Sequence, residues 1–160
     1  MKKMLLCLLL AFFAFGKGSF VLCAEYYVDV FYEIKPVTEF WVSGDPPPLI
    51  LDSMLSGEPS AEVSDESTTW GFSSNEWTGY KKVSGKIDQP MPDHTYLKVN
   101  LESFNGESTG DVPLTTNPQN LVTNIGYLED DCIITYRFGA SPAAGALSGT
   151  RTVTFTVADM

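Results

Sequence analysis

Apolar and polar residues alternate one for one over several short stretches of this 160-residue chain. The clearest is Thr-Arg-Thr-Val-Thr-Phe-Thr-Val at residues 150–157, where Val153, Phe155 and Val157 interleave with Thr152, Thr154 and Thr156. Successive side chains of a β-strand point to opposite faces, and β-branched and aromatic residues suit a pleated, half-buried surface. The pattern predicts a strand with one core face and a threonine ladder open to water. A second stretch, residues 132–138, puts Cys132, Ile134, Tyr136 and Phe138 on one side. A run rich in Gly, Ala, Ser and Pro at 139–149 separates the two, which read as the last two strands of an all-β domain.

Further strands are predicted upstream. In residues 25–34, Val28, Val30, Tyr32 and Ile34 share one parity while Asp29 and Glu33 flank Phe31 on the other, and Pro36 ends the run. Residues 38–43 form a second extended piece, stopped by Gly44, Asp45 and three consecutive prolines that can donate no ladder hydrogen bond. Leu49, Ile50 and Leu51 re-enter the core briefly. Residues 52–75, rich in Ser, Gly, Glu, Asp and Thr, read as a surface loop with one short strand at 68–72. Strands are predicted at 81–87, 95–101 and 112–114, and 119–125 reads as a strand or one helical turn. No helical period is sustained beyond the first 24 residues. The expected fold is an immunoglobulin-like or jelly-roll-like antiparallel β-sandwich of about 7–9 strands, a single domain over 25–160.

The first 24 residues change the compartment rather than the fold. Lys2 and Lys3 precede an apolar run at 4–15, shorter than the roughly 20 residues that span a bilayer, and small residues follow up to Ala24. This is the pattern of a secretory signal peptide, cleaved after Ala24 or Cys23. Leu22 is bulky where a lipoprotein signal requires a small residue, so a lipid anchor on Cys23 is not expected. Loss of Lys2, Lys3 and Lys17 leaves seven basic residues against twenty acidic ones, a net charge near −13. Such a surface repels nucleic acid and anionic membranes and fits a secreted, extracytoplasmic protein. Only Cys132 remains in the mature chain, with no partner for a disulfide, and it reads as a buried small hydrophobe.

Candidate chemistry is sparse. There is no glycine-rich phosphate loop, no paired CxxC and no HExxH, and His94, the single histidine, lies in a Pro-Asp-His turn. Neither catalysis nor a cofactor or metal is expected. The clusters Glu129-Asp130-Asp131 and Asp88/Asp93 read as solvated charge rather than as calcium loops, since nothing has EF-hand spacing. Twenty acidic residues always provide pairs, yet no spacing singles out a glycosidase dyad. Among the aromatics, Trp70 and Phe72 read as core. Trp77 and Tyr80 are the candidate ligand contacts, because an aromatic ring on a loop can stack on a sugar or anchor a protein interface.

The two ends of the chain carry a family resemblance. The alternating apolar strand that starts at the cleavage site, together with a Pro-Ala-Ala-Gly-Ala-Leu-Ser-Gly-Thr turn at 142–150 before a Thr/Val terminal strand, resembles bacterial fimbrial subunits and spore-coat-U-like secreted domains. The turn has the style of their AG-x-x-xG hairpin. The chain departs from the pilins in lacking their disulfide and the penultimate tyrosine, since it ends Ala158-Asp159-Met160. The resemblance implies a cell-surface structural or adhesive protein, a filament subunit joined by donating its N-terminal strand to a neighbour, with Val28, Val30, Tyr32 and Ile34 as the strand-exchange interface. Self-association or another surface protein is then the expected partner. The residues themselves leave two alternatives open: residues 25–34 as an ordinary first strand of their own domain, and a monomeric module binding carbohydrate or protein through Trp77 and Tyr80.

Overall fold

The computed structural model describes residues 25–53, 58–76 and 79–160; the expected signal sequence, Cys7 and Cys23 lie outside the described residues. The chain divides into two units, Met1–Glu33 and Ile34–Met160, and every described strand belongs to the second. In chain order these are β1 (Thr38–Val42), β2 (Ala61–Ser74), β3 (Lys81–Ile87), β4 (Thr95–Leu101), β5 (Glu107–Ser108), β6 (Val112–Pro113), β7 (Gln119–Ile125), β8 (Leu128–Ala140) and β9 (Val153–Asp159). Two antiparallel sheets result, ordered β1-β2-β8-β4-β6 and β5-β7-β3-β9, and together they make a β-sandwich.

The regular strands follow their pattern. In β4, Leu97, Val99 and Leu101 face inward and alternate with half-exposed Lys98 and Asn100. In β3, Val83 and Ile87 do the same. Between the two sheets these share one core cluster with Trp70 and Phe72 of β2, Leu121, Val122 and Ile125 of β7, and Cys132, Ile134 and Tyr136 of β8. Burying a side chain of this size is worth about 1.5–3 kcal/mol, so this cluster is the main source of stability in a domain without a described disulfide. The Trp70 indole N–H is satisfied by the carbonyl of Glu102 at 2.9 Å.

Five expectations are corrected. Residues 25–34 form no strand, because alternation prepares a face but a strand exists only where a neighbour completes its hydrogen-bond ladder. The polar stretch 52–75 is not a loop with a short strand: from Ala61 to Ser74 it is the longest strand of the fold, paired to β1 on one side and β8 on the other. The strand at the C-terminus begins at Val153 rather than at 150. Finally, β8 and β9 are not a hairpin. They lie in different sheets, and the segment between them crosses from one to the other through a 3₁₀ turn at Pro142–Ala144 and Gly145, whose φ of 67° suits a residue without a Cβ. Ile50 is exposed, so only Leu49 and Leu51 of that triplet are partly buried.

Bulges explain the irregular strands. Between Asp65 and Thr68, β2 has one residue more than β8, and the inward parity passes from Val63 to Thr68, Trp70 and Phe72. Asp65 closes this bulge by accepting hydrogen bonds from the Ser67 amide and hydroxyl. Between Trp70 and Phe72 the extra residue belongs to β8, and Asp131 there adopts φ 49°.

Candidate functional site

The four residues singled out near the N-terminus are strongly exposed: Val28 69%, Val30 78%, Tyr32 83% and Ile34 82%. Tyr26, Tyr27 and Phe31 are exposed as well. Large apolar side chains standing singly on a surface are ordinary, but seven within nine residues form an apolar ribbon.

At the other end of the chain, β9 is an edge strand, with β3 as its single partner among the described strands. Its inward residues Val153, Phe155 and Val157 are only half-buried, whereas Val83 and Ile87 of β3 are closed off almost completely. Phe155 packs beneath Phe40 of β1, with ring centroids 6.1 Å apart, and Phe40 lies 5.9 Å from Trp70. The seam between the β1 and β9 edges is therefore apolar and incompletely covered. The carbonyl of Thr152 accepts from the Asp88 amide and the Met160 amide donates to the Tyr80 carbonyl, each at 3.1 Å. Residues of even number in this strand thus turn their polar groups toward β3. In an antiparallel ladder the intervening residues turn theirs the other way, so Val153, Phe155, Val157 and Asp159 present N–H and C=O at the free edge.

Of the two candidate ligand aromatics, Trp77 lies outside the described residues. Tyr80 is 61% exposed. Beside it a hollow of about 90 Å³ is lined by Glu76, Gly79, Lys81 and Asp159. Lys81 fills the role of a clamp there: its ammonium bonds Asp159 at 2.5 Å and Glu76 at 2.7 Å, tying the end of β9 to the start of β3. The bond to Asp159, then that to Glu76, raises the lysine pKa. Sequence reasoning missed Trp41, whose indole lies flat on Gly71; a methyl at Gly71 would sit 2.0 Å from the ring. Tyr96 covers Gly139 in the same way and donates to Glu62, which Lys98 also contacts.

Glu129 is not solvated charge. It is 1% exposed, because the bulge at Asp130-Asp131 turns its side chain inward. Its carboxylate accepts from the Ser103 hydroxyl at 2.6 Å, the amides of Phe104 and Asn105 at 2.9 Å, and the Cys132 thiol at 3.2 Å. Burial alone would raise its pKa; these bonds outweigh burial and hold it below the usual carboxylate value. Burial first, then the hydrogen bond to Glu129 and the charge of that carboxylate, push the Cys132 thiol up to about 12. A thiol so held is a poor nucleophile. His94 is an exposed turn residue with φ 65°, and among the described residues no group of three or more His, Cys, Asp or Glu is placed to hold a metal ion. No helix among the described residues is long and apolar enough to cross a membrane.

No protein-family model, curated protein or solved structure matches the chain.

Proposed function

We propose that this protein is a secreted, non-enzymatic structural or adhesive subunit that acts at the cell surface and associates through its N-terminal segment. The observation that carries the reading is the exposed apolar ribbon at residues 26–34, attached to a domain whose core is built from other residues. An extended segment of this kind gains affinity by adding to a sheet edge, where main-chain hydrogen bonds bind and alternate side chains select. The chain from Glu25 onward, examined by light scattering over a concentration series and by electron microscopy, should form oligomers or fibres that Val30→Asp abolishes. A monomer at all concentrations overturns the reading. The exposed Tyr80 ring favours a second one, a monomeric carbohydrate- or protein-binding module; loss of a glycan ligand on Tyr80→Ala in a monomeric protein would select it.

A further inference from the structure

We propose that the outer face of the five-stranded sheet, around Trp41, docks a basic and apolar segment of another protein. Trp41 and its partner Gly71 face outward, because their neighbours Phe40 and Trp70 point into the core. The indole lies on Gly71 and is still 38% exposed. On either side of Gly71, Thr69 and Ser73 pair with Ile133 and Leu128 of β8, and both of these are exposed on the same face. Four residues of strand separate Thr69 from Ser73, about 13 Å, so Ile133 and Leu128 flank the indole. Beyond the end of β4, the Phe104 amide is held by buried Glu129 while the phenyl ring is exposed. Single apolar groups on a surface are ordinary, but a cluster centred on a tryptophan has the composition of an interface.

Charge chooses the partner. Glu39 shares the face of Trp41, Asp130 and Asp131 form the bulge opposite Gly71, and Glu102 donates its amide to the Ile133 carbonyl. All four are exposed, and among the described residues none of their carboxylates enters an ion pair. The far end of the same face is built differently: there Glu62 is matched by Lys98 and Arg137, and Asp111 by Arg137. The other basic residues are placed elsewhere. Lys81 is clamped by Asp159 and Glu76, Lys82 and Lys86 lie on the outside of the opposite sheet, and Arg151 bonds the Pro90 carbonyl. Lys35 is set beyond the end of β2, where Asn75 holds its carbonyl. An apolar centre ringed by unmatched carboxylates repels an anionic membrane and a second copy of this acidic chain. It complements Lys or Arg side chains set among apolar ones, whose cations can also rest on the indole face.

The test titrates the chain from Glu25 onward with two short synthetic peptides, one alternating Lys with Leu and one alternating Glu with Leu. At about 0.1 M salt the Lys peptide should bind and the Glu peptide should not. Glu39→Gln with Asp131→Asn should weaken binding about tenfold. The control pair Glu58→Gln with Glu107→Gln removes as much charge, ahead of β2 and on the other sheet, and should weaken it less than about twofold. Ile133→Ser should cost about tenfold as well, with the urea midpoint showing that the variant is folded. In about 1 M salt, where screening acts within about 3 Å, the effect of the charge variants should vanish and that of Ile133→Ser persist. Equal losses in the two charge pairs reduce the binding to general attraction by an acidic protein and overturn the site. So does failure of the Lys peptide to bind, binding of a neutral oligosaccharide in its place that Ile133→Ser abolishes, or self-association lost in Ile133→Ser. Val30→Asp, the test of the association proposed above, should leave this titration unchanged; a loss there moves the peptide to residues 26–34 and overturns the Trp41 face alone.

Discussion

β4 and the segment 28–34 carry nearly the same message in sequence and reach opposite ends in the structure. Leu97, Val99 and Leu101 alternate with Lys98 and Asn100 and are buried; Val28, Val30, Tyr32 and Ile34 alternate with Asp29, Phe31 and Glu33 and are exposed. Both patterns prepare an apolar face. The difference is the neighbour: β4 is paired with β8 along all seven residues and with β6 at Lys98 and Val99, and the other sheet lies over its face. Burial is thus a property of pairing, and the alternation states only which side will be buried if pairing occurs.

The largest effect that would break this comparison comes from the same substitution made in both places. Val99→Asp puts a carboxylate where the side chain is fully buried and should cost about 4 kcal/mol or more, read by urea denaturation. Val30→Asp should leave the urea midpoint unchanged while removing association. A shared loss of stability would mean that residue 30 belongs to a core after all.

The next effect asks whether a polar group can hold a core position. Glu129→Gln keeps the shape but loses the charge to which Ser103, Phe104 and Asn105 donate, and should destabilise by about 1–3 kcal/mol. The folded pKa of Glu129 lies below its unfolded value near 4.5, so its contribution is complete above that pH and is lost as pH falls through the folded value. Acid denaturation of the Gln variant should accordingly show a shallower dependence below about pH 4.5 than that of the parent protein. Gly71→Ala, which displaces the Trp41 ring, should cost about 1 kcal/mol in the same assay. Smallest of all, Cys132 should resist alkylation at pH 8 until the protein unfolds, since its thiol is held up to about 12.

The same logic separates what was legible in the sequence from what was not. β3 and β4 are regular, and their bounds follow directly from Val83 and Ile87 and from Leu97, Val99 and Leu101. β2, β7 and β8 each carry a register shift, and a shift changes the parity that alternation depends on. In β7 the buried set becomes Leu121, Val122 and Ile125, a spacing that fits a helical turn as well as a strand. In β2 the inward residues move from odd to even numbers within a Ser- and Glu-rich stretch, which therefore reads as loop. Glu129 was misread for the same reason: without the bulge at Asp131 it would share its face with Asp131 and lie opposite to Cys132. Trp41 over Gly71 left no local signal, because the two residues are thirty apart and meet only through the pairing of β1 with β2.

The pairing of β3 with β9 also sets a clock. Lys81 finds its partner in Asp159, 78 residues further along the chain, and Val83 waits for Val157. During synthesis β3 has therefore emerged long before the strand that covers its edge exists, and the second sheet cannot close until residues 153–159 have been made. Residues 28–34, by contrast, precede both strands. Throughout that interval a nascent chain offers an early apolar segment and an unfilled place beside β3, so the order of synthesis itself favours premature contact between neighbouring chains.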